Sequence, residues 1–362
     1  MNSKNSINSI VVRGTNWIGD AIMTIPALRE LSRIFPNAEI VLHTRKWAEG
    51  IFGDADFLDW MITYDQSTSK FKDTIGQAHT LRLQNFDLAI LLPNSFESAL
   101  TAWLARIPKR IGYNKDLRGL LLTDPVAVPE WKEKRHEVFY FLNLIAEVEK
   151  RFLGTETVLR NEPDSSLQIS EERRFDARRF LIKAGVDPAK KVIAFGAGST
   201  NSRAKRWGVE RYAELADKLQ SELEAEVILV GSADEVEIAA EVRQLSKKPP
   251  IDITGKTGLV EAAALLSVVD LLVSNDMGLA HLAPAIGTKT VVIFGPTNPV
   301  TTRPFSGNAT VIRNAVECSP CMLRDCPIDH RCMTRISAEE VFNVCRQLLT
   351  PEESVNEQGT AA

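Results

Sequence analysis

The chain has 362 residues, a net charge of −4 and a hydrophobic fraction of 44%. Those values suit a soluble protein of two domains and exclude a chain built as a whole for nucleic acid, which would carry a basic surface. Residues 1–9 are polar and no uninterrupted apolar run approaches a membrane span, so the chain reads as cytoplasmic. In chain order, residues 10–13 form a short buried strand that ends at Gly14. Apolar residues at helical spacing predict a helix over 20–35, followed by strands at 39–44 and 58–64. A polar helix fills 67–84, a strand covers 87–92, a helix 96–105 and a strand 110–113. A charged amphipathic helix follows over 130–152, and 154–166 has the polar, aperiodic character of a linker.

A second series begins near Ser170. Its strands are expected at 192–196, 227–231, 251–254, 271–274 and 290–294, with helices at 209–223, 234–245 and 259–268 between them. Strands alternating with helices in both halves argue an α/β protein of two doubly wound, Rossmann-like domains facing a central cleft. The boundaries expected are 1–165 and 166–336. A final helix, 338–349, is expected to pack back on the first domain, ahead of a polar tail.

The most informative stretch is Ser274-Asn275-Asp276-Met277-Gly278-Leu279-Ala280-His281, where a strand gives way to a turn and at once to a helix. Open α/β sheets bind ligands at such carboxyl ends of strands, and a helix start offers free N–H groups and a positive dipole end to a phosphate. The plainer reading is an ordinary capped turn. Two more turns have this character. Arg13-Gly14-Thr15-Asn16-Trp17-Ile18-Gly19-Asp20 puts Asp20 at a helix start, either as a first-turn carboxylate or as a general base. Phe195-Gly196-Ala197-Gly198-Ser199-Thr200 lacks the third glycine of a dinucleotide fingerprint but offers hydroxyls to a phosphate. It leads to Ala204-Lys205-Arg206-Trp207, where Lys205 can meet a diphosphate and Trp207 is expected to pack beneath the loop. After a further strand, Gly231 is followed by Asp234 and Glu235, and one of these carboxylates could accept hydrogen bonds from ribose hydroxyls.

Two features are ambiguous from sequence. Cys318, Cys321, Cys326 and Cys332 lie close together around His330, which suggests metal before disulfide in a reducing compartment, yet paired zinc-ligand spacing is absent, and reduced thiols or a redox-labile disulfide in a surface loop are the alternatives. Between residues 104 and 135, eight basic residues, Lys109, Arg110 and Arg118 among them, face four acidic ones. That surplus suits an anionic partner or is simply a solvated face.

The ordered segments Arg13–Asp20, Leu92-Pro93-Asn94-Ser95-Phe96, Ala204–Trp207, Ser274–Gly278 and Phe294-Gly295-Pro296-Thr297 together resemble the lipopolysaccharide heptosyltransferases of glycosyltransferase family 9, most closely their heptosyltransferase II branch. The resemblance runs from about residue 10 to 349. It implies a GT-B fold and inverting transfer of L-glycero-D-manno-heptose from ADP-heptose to the first heptose of the Kdo–lipid A inner core. It implies no cofactor, and action as a peripheral enzyme on the cytosolic face of the inner membrane. By match of motif, Asp20 falls on the catalytic base and Lys205 on the lysine that steadies the ADP leaving group. Asp276, Met277, Gly278 and His281 fall on the donor segment, with Thr15, Asn16, Ser199, Thr200, Gly231 and Glu235 around it. Asn94, Ser95, Lys109, Arg110 and Arg118 are expected to meet the acceptor. The chain departs from the family pattern at Met277, commonly Ser or Thr, and at Gly208, commonly Pro. The lone Asp54-Ala55-Asp56 is far in sequence from the donor segment and a poor metal clamp, so metal-independent transfer is expected. The competing readings are a family 9 enzyme with another sugar or acceptor, and a catalytically silent nucleotide-sugar-binding protein. Retention of Asp20 and Lys205 speaks against the second.

Overall fold

The computed structural model describes residues 7–199 and 202–350. The first sheet holds β1 (Ser9–Arg13), β2 (Glu39–Arg45), β3 (Trp60–Tyr64), β4 (Leu88–Leu91), β5 (Lys109–Tyr113) and β6 (Asp124–Val126). The second holds β7 (Val192–Gly196), β8 (Glu226–Leu229), β9 (Ile251–Asp252), β10 (Leu271–Asn275), β11 (Thr290–Phe294) and β12 (Ala309–Arg313). The first runs β3-β2-β1-β4-β5-β6, and the second, read from its β9 edge, β9-β8-β7-β10-β11-β12. The two orders are the same, and the pairings are parallel. Each half is therefore a doubly wound unit whose strand order reverses between its first and fourth strands. The crevice beyond those strand ends is where such sheets take ligands.

Parallel strands covered on both faces must be apolar on both, and β1 shows the pattern. Ile10 and Val12 face a layer containing Ile22, Ile25, Leu28 and Leu31. Val11 faces the opposite layer, with Ala78, Leu81, Ala99 and Ala102. The same device pins the central strands in both halves. Asp87 accepts from the backbone N–H groups of Asn8 (2.8 Å) and Ser9 (3.1 Å). Asp270 accepts from Val192 N–H (2.8 Å).

Three expectations need correction. The helix expected over 20–35 is two, Ile18–Met23 and Ile25–Ile34, joined at Thr24. Pro26 lies at the start of the second and can donate no backbone hydrogen bond there. The helix expected from 130 begins at Glu137, because His136 turns its ring back to accept from Val138 N–H and caps it. The last helix, Ala338–Leu349, packs on the helix Val209–Glu222 and on β11, in the second domain, not back on the first. Val341, Phe342 and Cys345 form its buried stripe there. Two short edge strands, β6 and β12, were not expected at all.

Glu149 closes the first domain onto the chain that leads to the second. Only 1% exposed, it accepts from Thr155 Oγ1 (2.8 Å), Thr157 N–H (2.7 Å), Thr157 Oγ1 (2.6 Å) and Val158 N–H (2.9 Å). Burial pushes its carboxyl up, but these donors outweigh burial and hold it at about 2. Its folded value lies below the unfolded one, so its stabilisation is present above the ordinary glutamate range and is lost as pH falls toward 2. Glu149→Ala is expected to cost about 3 kcal/mol at neutral pH, since it strips a charged acceptor from several buried donors. Urea denaturation at a series of pH values should show that this cost shrinks on acidification; a cost independent of pH would contradict the assignment.

Candidate active site

Four turns converge where the carboxyl ends of the two sheets face each other: those after β1, β4, β7 and β10. In the first domain β1 stops at Gly14, whose added Cβ would stand 2.9 Å from Thr44 Oγ1. The chain passes Thr15, Asn16 and Trp17 and enters the helix Ile18–Met23, which has no side-chain cap and carries Asp20 in its first turn. In the second domain β10 stops at Asn275, and Asp276 and Met277 lead into the helix Gly278–Ala285. The two helix starts meet across the cleft. An added Cβ on Gly278 would stand 2.7 Å from Ile18 Cβ, and one on Gly19 would stand 3.0 Å from His281 Cδ2. Glycine is used at both positions because the opposing chain occupies the space of a side chain.

Gly278→Ala is therefore expected to push the helix starts apart, costing about 1–3 kcal/mol as overpacking and slowing turnover. Ile18→Ala in the same chain should recover most of both losses. A Gly278→Ala protein with unchanged melting temperature and rate would show that the cleft is looser than this geometry.

Asp276 is the hub of the second-domain side. It is 4% exposed, and its Oδ2 accepts from Thr297 Oγ1 (2.6 Å) and pairs with Lys205 Nζ (2.8 Å). His281 Nε2 lies 3.9 Å from Oδ1. Burial raises the carboxyl, but His281 and Lys205 override it and hold it at about 2, so Asp276 stays ionised. Asp20 behaves oppositely. Burial raises its carboxyl above the ordinary aspartate value, and the charges of His281, Lys205 and Lys132 offset this only in part. Two carboxylates with separated affinities for a proton share one cleft, as separate acid–base roles require.

The structure treats the remaining expected residues unevenly. Glu235 closes a capping box, its Oε2 accepting from Ser232 N–H (2.9 Å), while Oε1 is buried without a partner among the described residues. Gly231 and Gly198 lie against this carboxyl, so it faces the turns after β7 and β8. Thr15 Oγ1 is likewise buried and unpartnered among the described residues. Ser199 is buried, and its carbonyl accepts twice from the Arg206 guanidinium. Asn16 is exposed, Met277 is half-buried at the cleft, and Thr200 lies outside the described residues. Trp207 packs beneath the loop as expected, 1% exposed, its ring N–H donating to Ile336 O.

Of the three basic residues expected to meet the acceptor, one is buried and two lie at the far end of their strand. Arg118 is fully buried, donating to the carbonyls of Tyr113 and Pro93, to Ser98 Oγ (3.2 Å) and to Asn94 Oδ1 (3.3 Å). Lys109 and Arg110 pair with Leu88 and Ala89, at the amino end of β5 and away from the cleft. Arg110 Nε donates to Leu121 O (2.7 Å), and Lys109 Nζ lies 5.3 Å from the centre of the Phe152 ring. Ser95 caps the helix Phe96–Leu104. Asn94 is held at the end of β4 by Arg118 and Tyr140.

Sequence reasoning missed three contributors. Asn275 is wholly buried. It accepts from Trp207 N–H (3.0 Å) and Tyr212 OH (3.2 Å) and donates to the carbonyls of Ala197 (2.8 Å) and Gly198 (3.0 Å). It thereby locks the turns after β7 and β10 together; an Asn closing an apolar strand was the available signal. Lys132 and Glu137, 3.1 Å apart, lie close enough to Asp20 to bear on its proton, and the charges of Lys132 and Asp20 act in turn on Glu137.

The cysteine segment buttresses the site. Cys321 and Met322 N–H groups donate to Pro296 O (3.0 and 2.9 Å), and Ser319 Oγ donates to Gly295 O (2.6 Å). Ala204 N–H donates to Arg324 O (2.9 Å), and His330 Nε2 donates to Ala204 O (2.6 Å). The segment thus braces the turns of Lys205 and Thr297, two of Asp276's partners. Its four cysteines are free thiols, Cys332 buried and Cys318 and Cys321 exposed. Among the described residues no three His, Cys, Asp or Glu side chains are grouped to hold a metal ion.

A profile described as glycosyltransferase family 9 (heptosyltransferase) matches residues 76–331, more than two-thirds of the chain. The chain belongs to glycosyltransferase family 9. It is a glycosyltransferase, and the two like-wound halves are its GT-B domains. The lipopolysaccharide heptosyltransferase 2 of Escherichia coli is 30% identical over 84% of this chain and 87% of its own length. The lipooligosaccharide heptosyltransferase 2 of Haemophilus influenzae is 29% identical over 84% and 88%. The solved structure of the E. coli ADP-heptose lps heptosyltransferase II superposes with a TM-score of 0.80 at 28% identity, covering 94% of this chain and 98% of that one.

Proposed function

We propose that this glycosyltransferase is a heptosyltransferase II, moving L-glycero-D-manno-heptose from ADP-heptose to the first heptose of the Kdo–lipid A inner core, with inversion. The observation that carries the reading is the meeting at one cleft of a buried first-domain carboxylate, Asp20, with second-domain Lys205, Asp276 and His281, near enough that the charges of His281 and Lys205 act on Asp20. Asp20 takes the proton from the acceptor hydroxyl as that oxygen attacks the anomeric carbon. Its raised affinity for a proton, set by burial, suits a general base. The bond from that carbon to the diphosphate breaks on the opposite face, and negative charge grows on ADP.

Lys205 meets that charge, and the free N–H groups at the start of the helix Gly278–Ala285 add to it. Asp276 keeps the lysine aimed while Thr297 fixes the carboxylate. Glu235 Oε1, without a partner among the described residues, and the glycines beside it suit the ribose hydroxyls, which donate to such a carboxylate. The departing charge has protein cations to meet it, and Asp54 and Asp56 are taken by Arg173 and Arg29. Transfer without a metal is therefore the reading we adopt. Asn94, in the turn after β4, is the first-domain residue we assign to the acceptor. The acceptor is a lipid, so the enzyme works at the cytosolic membrane face. No described helix is long and apolar enough to cross a membrane.

Incubation with ADP-heptose and defined truncated cores, read by mass spectrometry, tests this. One heptose should be added to the core that ends in a single heptose and none to a core ending in Kdo. Transfer to the Kdo-terminated core, or of a different sugar only, would sink the assignment.

A further inference from the structure

The loop that follows β5 inverts the usual rule for burial. Its arginine, Arg118, is completely buried, while Leu117 and Leu120 on either side of it are 90% and 96% exposed. Asp116 and Leu117 both take left-handed backbone, with φ of 53° and 60°, a conformation that non-glycine residues adopt only at a cost. What it achieves is to turn the guanidinium inward, onto four acceptors, and the two leucines outward.

The neighbouring helix Phe96–Leu104 continues the surface. It contacts the segment Arg118–Leu121, and its outward row is apolar: Phe96 and Trp103, each 48% exposed, are seven residues apart on one face. Exposed Lys115 and Arg106 flank this row of leucines and aromatics. The arginine that fixes the loop also holds Asn94 at the end of β4, so the apolar tip and the cleft are one rigid unit.

We infer that the exposed surface formed by Leu117, Leu120, Phe96 and Trp103 seats the first domain on an anionic lipid bilayer. A protruding row of leucines and aromatics with cations beside it is the composition that lies at a lipid headgroup boundary, apolar groups in the acyl edge and amines at the phosphates. The inference builds on the reading of the acceptor as a lipid, and the arrangement would bring the mouth of the cleft to the membrane plane beside that lipid.

The test is flotation of the full chain with vesicles of phosphatidylethanolamine and phosphatidylglycerol, with neither donor nor acceptor present. It therefore reports on this surface whether or not heptose transfer is the reaction. The wild type should float with the vesicles, less so in high salt. Leu117→Ser/Leu120→Ser should lower the partition coefficient at least about tenfold, because two leucines lose their burial in lipid. Both leucines are exposed in the free protein, so its melting temperature should not change, and its kcat and KM on a deacylated, water-soluble acceptor should match the wild type. The single Leu120→Ser variant should fall between the two. The inference is overturned if the wild type does not bind vesicles, or if the double variant binds as well as wild type. It is also overturned if sedimentation shows a dimer that the double variant dissociates while vesicle binding persists, since the occupant would then be a second copy of the chain.

Discussion

Asp20→Asn is expected to lower the turnover of sugar transfer by about 10²–10⁴-fold, the usual cost of losing a general base. The affinity for ADP should stay within a few-fold, because Asp20 sits on the first-domain helix start and the diphosphate is met from the second domain. Asparagine keeps the shape, so a large loss of rate reports the missing proton acceptor and not a collapsed cleft. The pH profile sharpens the test. A base works deprotonated, and burial raises the Asp20 carboxyl, so wild-type kcat/KM should fall with acid at a pH above the ordinary aspartate range. In the variant the residual rate should lose that limb. An unchanged rate in folded Asp20→Asn, or an acid limb that survives it, removes Asp20 from the mechanism.

How far this site could be read before the structure follows from what each residue's neighbours contribute. Strands such as β7, β10 and β11 are buried along their whole length, so their apolar runs announce themselves, and the turns that follow them hold Lys205, Asp276 and Thr297. The edge strands β6 and β12 need no such runs. One has three residues with a proline at its centre, and the other is half-buried, so neither carries a pattern. The helix break at Thr24 is a matter of one hydroxyl, which donates to Ala21 O (2.6 Å), and of Pro26 just beyond it.

Arg118 shows the limit most plainly. A sequence counts its charge but not its acceptors, and those are backbone carbonyls and side chains up to 25 positions away in the chain, brought together only by the parallel sheet. Lys109 and Arg110 were displaced for a related reason. They lie in the same basic stretch as Arg118 but at the other end of β5, and sheet topology, not sequence distance, decides which end faces the cleft.

Lys205→Ala is expected to raise the barrier by about 3 kcal/mol, roughly a hundredfold in rate, and to weaken donor binding as well. Lys205 is half-exposed and free to follow a ligand, but without one it is bound to Asp276 Oδ2 at 2.8 Å. An incoming diphosphate must therefore share the ammonium with a carboxylate that burial has made nearly inescapable. The arrangement keeps the lysine aimed before the donor arrives, so little reorganisation is left for the reaction itself. It also separates two roles that a rate alone would merge. Removing the lysine leaves Asp276 buried with only Thr297 and His281, so the melting temperature should fall along with activity. Lys205→Arg keeps a cation and should recover much of the stability but less of the rate, because a planar guanidinium cannot stand in for a compact ammonium. Calorimetric titration with ADP, beside single-turnover rates, distinguishes the outcomes. Loss of stability with donor affinity and rate both intact would make Lys205 a partner of Asp276 only, and would leave the departing diphosphate to the helix start and His281.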